Sequence, residues 1–324
     1  MSNILWLFTF VKCFVIKYKL LYNFLVFIVS LWLFVTKMVW QKIRRFLRNP
    51  YFARTSHDRA AFSMLIIGAQ LALWYETCHV MQYYHGEETG SSLESIAHVV
   101  FALFLYASSL SNIYKMIRTR IVCDLTALGV SESADWPYCE RCLCHRPPRT
   151  HHCSVCDVCV LKRDHHCWFG GVCVGHANQR YYVCAISYML IAAVYGNFYH
   201  FRFMINQLEH LGHIGIPVCI TIPHFCAMFG YLTFYQFLIA VLSFTGFLLL
   251  GLLLWMFLIQ MAQITNGQTR YERKCGDFMY FNSPLENIKA VFGIRWYIAW
   301  LCPWISSPLP ENGAIFRISE LKTK

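Results

Sequence analysis

The sequence predicts an α-helical membrane protein of several spans that carries a small metal-stabilised domain. Of its 324 residues, 57% are hydrophobic and only 14% charged, well below the roughly 25% charged of a soluble domain. Runs free of Asp, Glu, Lys and Arg cover residues 20–36, 60–75, 95–114, 181–201 and 210–269, against the about 20 apolar residues that cross a bilayer as a helix. Eight of the sixteen cysteines crowd into residues 139–173 among Arg, Lys and His, which points to metal ligation in a reducing compartment and away from a disulfide framework. The formal charge of +11 flanks apolar runs and forms no stripe on a soluble face, so it marks topology and excludes a nucleic-acid role.

Taken in order, the run 20–36 is expected to be an extra uncleaved helix, with an interfacial anchor as the alternative. The run 60–75 can extend through Val80 by burying Glu76 near an interface, and the runs 95–114 and 181–201 each read as one span. In the last run Pro217 and Pro223 break the first half, so a helix is secure only over about 234–260, while 214–232 can span, re-enter or lie in the interface. Four core spans are therefore expected, with 20–36 and 214–232 left open as one or two more. The regions are 1–59 (N-terminal, basic), 60–117 (two spans), 118–180 (cysteine-rich), 181–264 (later spans) and 265–324 (tail). No internal repeat is read.

Residues 37–59 hold seven Lys or Arg and one Asp, whereas 77–94 hold three acids and no Lys or Arg. By the positive-inside rule the first stretch is cytosolic and the second lumenal. The cysteine-rich segment, one span later, is then cytosolic. The tail, which opens with "RYERK", is placed there too, so an even number of spans is expected between 181 and 269.

Within the cysteine-rich segment the ligand-type residues fall as Cys139-x2-Cys142, His152-Cys153-x2-Cys156-x2-Cys159, and His165-His166-Cys167 with Cys173. C-x2-C spacing lets two thiolates close on one ion from a tight turn, and its repetition is a strong zinc signal. Too few Val, Ile, Leu and Phe lie here for a core, so bound metal must supply the folding free energy. Cys144, His145 and His151 are expected to be bystanders. Three adjacent ligand types in "DHHC", residues 164–167, cannot easily share one tetrahedron, so at least one of them has other work.

The run "CERCLCHRPPRTHHCSVCDVCVLKRDHHCWFGGVCVGHANQRYY" resembles the cysteine-rich domain of the DHHC protein S-acyltransferases. "TRYE" at 269–272 and "NIKAVFG" at 287–293 resemble that family's tail motifs. The resemblance implies that Cys139, Cys142, His152 and Cys159 bind one structural zinc, that Cys153, Cys156, His166 and Cys173 bind the other, and that Cys167, His165 and Asp164 remain for catalysis. Asp164 can hold an imidazole that takes a thiol proton, a triad expected to need an irregular turn. The implied reaction moves a fatty acyl group, palmitoyl for preference, from acyl-CoA through a Cys167 thioester to cysteines of membrane-associated proteins. An accessory subunit is not specified, and endoplasmic reticulum or Golgi is the implied membrane.

Arg146, Arg149, Lys162 and Arg163 are candidate contacts for CoA phosphates, anionic lipid being the alternative. Ala192, Ala193 and Gly196 leave space on one helix face for an acyl chain or, as small residues more often do, for close packing. Trp168, Phe169, Val172 and Arg270 depart from the family's usual residues, which puts efficiency and acyl preference in question. A RING-like module would need a final C-x2-C pair, absent after Cys173. A catalytically weakened scaffold is the other rival, and a transporter is disfavoured because no secure span has a central charge.

Overall fold

Thr55 opens the first described helix of the computed structural model, which covers residues 52–85 and 92–316. Its hydroxyl accepts from the Asp58 backbone N–H while the Asp58 carboxylate accepts from the Thr55 N–H, a capping box that satisfies two orphan donors. This helix, α1 (Ser56–Tyr75), runs on through a π turn (Glu76–Val80) into α2 (Met81–His85). It begins four residues before the apolar run, because the cap and not hydrophobicity sets its start. α3 (Ser92–Arg118) returns. After a short α4 (Leu125–Leu128) come three antiparallel hairpins: β1 (Tyr138–Cys139) with β2 (Cys144–His145), β3 (His151–Cys153) with β4 (Val158–Val160), and β5 (His165–Cys167) with β6 (Val172–Val174).

α5 (Gln179–Gln207) is the central span, packing on both α3 and the long α8 (Phe234–Thr265). Between them α6 (Gly212–Thr221) and α7 (Pro223–Met228) reach only about 15 and 9 Å at 1.5 Å per residue, too short to cross. Residues 214–232 therefore do not form a spanning helix. Four described helices are long and apolar enough to cross a membrane, over 56–84, 93–118, 179–207 and 234–265, which fits an integral membrane protein. Two of them fall between 181 and 269. The run 20–36 lies outside the described residues.

Small residues serve helix approach in this bundle. A Cβ on Gly196 would lie 3.2 Å from Glu76 Oε1, and one on Gly246 would lie 2.8 Å from Asn197 Oδ1. The face of α5 carrying Gly196 is thus occupied at that level by the π turn of the first span.

α8 ends at a left-handed Gly267 (φ 65°), and the tail folds back through α9 (Arg270–Cys275), α10 (Pro284–Phe292) and α11 (Trp296–Ala299). Asn287 of α10 donates to the Thr265 carbonyl (2.8 Å), so the asparagine of the tail motif satisfies an unpaired carbonyl at the C-terminal end of α8. Its glycine, Gly293 (φ 83°), has Ser307 Oγ 2.3 Å from where a Cβ would stand; no other residue fits there.

Candidate active site and metal centres

The three hairpins are one unit repeated every 14 residues. Cys139, Cys153 and Cys167 hold the same place in each turn, and Leu143, Asp157 and Gly171 the next left-handed position, at φ 53°, 55° and 61°. The repeat is hidden in the sequence, because the third copy has Gly170 where the first two have Cys142 and Cys156.

Strand geometry divides the ligands. Residues opposite one another across an antiparallel pair share a face, and neighbours along a strand do not. His152 lies opposite Cys159, and His166 opposite Cys173. Each such pair meets the two turn cysteines of the preceding hairpin. The structure so assembles two interleaved groups, Cys139, Cys142, His152 and Cys159, and Cys153, Cys156, His166 and Cys173, each with ligand atoms within 4.8 Å of one another.

Either group could hold a metal ion. A tetrahedral metal with thiolates at about 2.3 Å and imidazole at about 2.0–2.1 Å has S···S edges of about 3.8 Å and S···N edges of about 3.5 Å. In the first group His152 Nδ1 is 3.8 and 3.3 Å from the sulfurs of Cys139 and Cys142. In the second, His166 Nδ1 is 3.8, 3.3 and 3.7 Å from Cys153, Cys156 and Cys173, and the Cys156 and Cys173 sulfurs are 3.7 Å apart. The residues fit the ion. The small apolar core here, Ile121 and Val160 around Cys153, Cys156 and Cys173, is itself half ligand.

Where an irregular turn is expected over Asp164–Cys167, residues His165–Cys167 form a regular strand with Asp164 immediately before it. In β5 the side chains of His165 and Cys167 share one face while His166 takes the other toward its metal group, so simple alternation frees the pair. His165 Nδ1–H donates to Asp164 Oδ2 at 2.7 Å. Burial pushes the His165 ring down, but Asp164 and the Cys167 sulfur outweigh it and hold the ring's pKa up at about 9. Asp164 is buried, which pushes its carboxyl up, yet three donors keep it below the usual carboxylate range: His165, Gln260 Nε2 (3.0 Å) and the Arg270 backbone N–H (2.8 Å). Cys167 Sγ has a donor of its own in the Gly170 N–H, at 3.3 Å. The same bond recurs from Cys156 N–H to Cys153 Sγ (3.4 Å), so the turn that serves a thiol of a candidate metal group serves Cys167 as well. Gly170 also admits Met116 of α3, whose methyl carbon would lie 2.3 Å from an added Cβ.

The basic residues divide. Arg149 and Lys162, expected to face CoA phosphates, are buried. Arg149 forms a two-point ion pair with Glu272 (2.8 and 2.7 Å), donates to the Gly267 carbonyl (2.7 Å), and lies over the rings of Tyr280 and Phe316. Burial pushes the Lys162 ammonium down to about 7. Arg146 and Arg163 are half-buried. Of the expected bystanders, His145 Nδ1 donates to the Trp136 carbonyl at 2.8 Å and the His151 ring lies tilted against that of Tyr271. Sequence reasoning missed Gln260, Asp58 and the Arg270 N–H. The one available signal was Gln260 and Gln263, polar at i, i+3 inside an apolar run, where Gln260 Nε2 bridges Asp164 and Gln263 Oε1 (3.0 Å).

A family model described as DHHC palmitoyltransferase matches residues 132–275. Among curated proteins, probable palmitoyltransferase ZDHHC24 of Homo sapiens is 30% identical over 280 residues, 83% of this chain and 96% of the relative. Its counterpart from Rattus norvegicus is 28% identical over 283 residues, 83% and 96% of the two chains. Palmitoyltransferase ZDHHC22 of Mus musculus is 29% identical over 223 residues, 64% of this chain and 77% of the relative.

Proposed function

The chain belongs to the DHHC palmitoyltransferase family and is a protein S-palmitoyltransferase; from that premise we propose that Cys167 carries the acyl group between acyl-CoA and cysteines of membrane-associated proteins. One observation carries the assignment: His165 and Cys167 share a strand face, with His165 held at 2.7 Å by Asp164, while His166 turns away to a metal group. In the first step the Cys167 thiolate adds to the thioester carbonyl of palmitoyl-CoA. The C–S bond to CoA breaks, and the CoA thiolate takes the proton held on the His165 ring. In the second, a substrate cysteine gives its proton to His165 and attacks the acyl-Cys167 carbonyl, returning Cys167 as thiolate. Asp164 stays ionised throughout, orienting the ring and stabilising its protonated form.

Both metal groups are read as structural zinc, since each offers four protein ligands and no open position. The zincs would supply folding free energy to a module with almost no core. Incubating the purified protein with labelled palmitoyl-CoA is expected to leave one hydroxylamine-labile label per chain, and an unlabelled protein holding both zincs would overturn the catalytic reading.

We place the hairpin module, residues 118–180, and the tail from Arg270 on the cytosolic side, with loop 77–94 lumenal, in the membrane of the endoplasmic reticulum or Golgi. The charge pattern supports the orientation, as do the two spans between 181 and 269. Protease protection on sealed vesicles tests it: a tail shielded while 118–180 is cleaved would reverse the assignment.

Trp168 and Phe169, 65% and 46% exposed at the tip of the Cys167 hairpin, are read as the rings that meet the acyl chain and keep water from the thioester. Phe169→Ala should reduce labelling or change the preferred chain length without releasing zinc. Unchanged labelling across chain lengths would leave the rings only a lipid contact. In the same assay Arg146→Ala and Arg163→Ala should raise the acyl-CoA concentration for half-maximal labelling, as expected of phosphate contacts.

A further inference from the structure

We infer that Asp58, at the start of the first described span, is the outer carboxylate of the second metal site and holds that span to the strand carrying the nucleophile. The inference rests on the reading of the two cysteine groups as metal sites.

His166 turns Nδ1 to the three sulfurs of its group. Its other nitrogen, Nε2, lies 3.1 Å from Asp58 Oδ1, across 108 residues of sequence. A ligating imidazole needs its far N–H accepted, because that bond fixes the tautomer, orients the ring and makes the ligating nitrogen more basic; carboxylates commonly do this, and their loss typically costs 10- to 100-fold in metal affinity or activity. Asp58 is 1% exposed, so it is withdrawn from water and its charge needs such a partner. Its other oxygen accepts from the Thr55 N–H at 3.2 Å. One carboxylate thus spans the cap of α1 and the ligand of β5. His165 and Cys167 flank His166 on the same strand, so the bond fixes the catalytic face relative to the membrane helix.

The first site supplies an internal comparison. There the far nitrogen of His152 is 3.7 Å from Asp157 Oδ1, beyond hydrogen-bond distance, and Asp157 is 55% exposed. Asp157 comes from the hairpin itself, whereas Asp58 comes from a different element. Only the second site is joined to a membrane span in this way among the described residues.

The test follows metal and not turnover. Full-length protein in detergent is challenged with a chromogenic chelator, zinc release is timed, and the newly exposed thiols are alkylated and mapped by mass spectrometry. Wild type should release two zincs slowly. Asp58→Ala should release one of the two about 10- to 100-fold faster, with alkylation at Cys153, Cys156 and Cys173 and continued protection of Cys139, Cys142 and Cys159. Asp58→Asn has a single acceptor oxygen for two donors and should fall between. Thr55→Ala removes the hydroxyl side of the cap and leaves the His166 bond, so its release should match wild type; a Thr55→Ala protein as labile as Asp58→Ala would reduce Asp58 to a helix cap and overturn the inference. So would wild-type release from Asp58→Ala, or equal loss from both sites. Wild-type protein that copurifies with no metal would instead overturn the zinc reading itself.

Discussion

Cys167→Ser is expected to stay folded, retain two zincs per chain and lose its hydroxylamine-labile label to background, while Cys173→Ser, six residues on, loses zinc and misfolds. The two residues are chemically identical and sit in facing strands, so treating both as structural thiols predicts one phenotype for both. Geometry separates them. Cys173 is fully buried against the sulfur of Cys156 (3.7 Å) and His166 Nδ1 (3.7 Å). Removing it opens a site whose bound metal is worth on the order of 10 kcal/mol of folding free energy in small zinc modules. Cys167 belongs to neither metal group; its sulfur interacts with His165 and accepts from the Gly170 N–H. His165→Ala should follow Cys167→Ser with zinc intact and labelling slowed about 10²- to 10⁴-fold, the usual range for a general acid–base. His166→Ala should follow Cys173→Ser, and also strands the Asp58 carboxylate. Elemental analysis and labelling of the same four preparations decide the matter. Zinc loss from Cys167→Ser, or label surviving on it, would sink the assignment.

Much of this molecule is legible in its sequence because its strongest signals are local. Apolar length marks the four spans, and C-x2-C spacing marks the ligands. The residues 164–167 raise the division of labour by themselves, although it is strand alternation, not an irregular turn, that answers it. The 14-residue repeat is hidden because Gly170 breaks the cysteine pattern at the copy that carries Cys167. The remaining contributors lie far apart in sequence: Gln260 reaches Asp164 across 96 residues, and Asp58 reaches His166 across 108. Nothing in a single sequence marks a glutamine near the end of a span as the partner of a carboxylate beside a distant cysteine-rich hairpin. Arg149 is the instructive case, since a basic residue beside a Pro-Pro pair reads as solvent-facing.

Breaking the Arg149–Glu272 pair is expected to cost more than any other change outside the metal groups. Both side chains are almost wholly buried, at 4% and 8% exposure, so removal of either leaves a desolvated charge without its counter-ion, which typically destabilises by about 3–5 kcal/mol. Arg149→Ala and Glu272→Ala should each lower the melting temperature by several degrees. Arg149→Lys should not restore it, because an ammonium cannot make the two-point contact that the guanidinium makes with Glu272. The paired change Arg149→Met with Glu272→Leu should cost much less than the sum of the single changes, as expected when both charges leave together. Catalysis should fall further than stability alone explains. Glu272 Oε2 also accepts from the Thr269 N–H (2.7 Å), closing the cap that sets the first turn of α9. That turn presents the Arg270 N–H to Asp164 Oδ1. The ion pair therefore fixes one of the three donors that keep Asp164 ionised beside His165. In the Met/Leu protein, which retains the fold, labelling measured well below the melting transition should still be slowed. Wild-type labelling there would show that the cap holds Asp164 without the pair, and a near-neutral Arg149→Ala would show that the buried charge finds another partner.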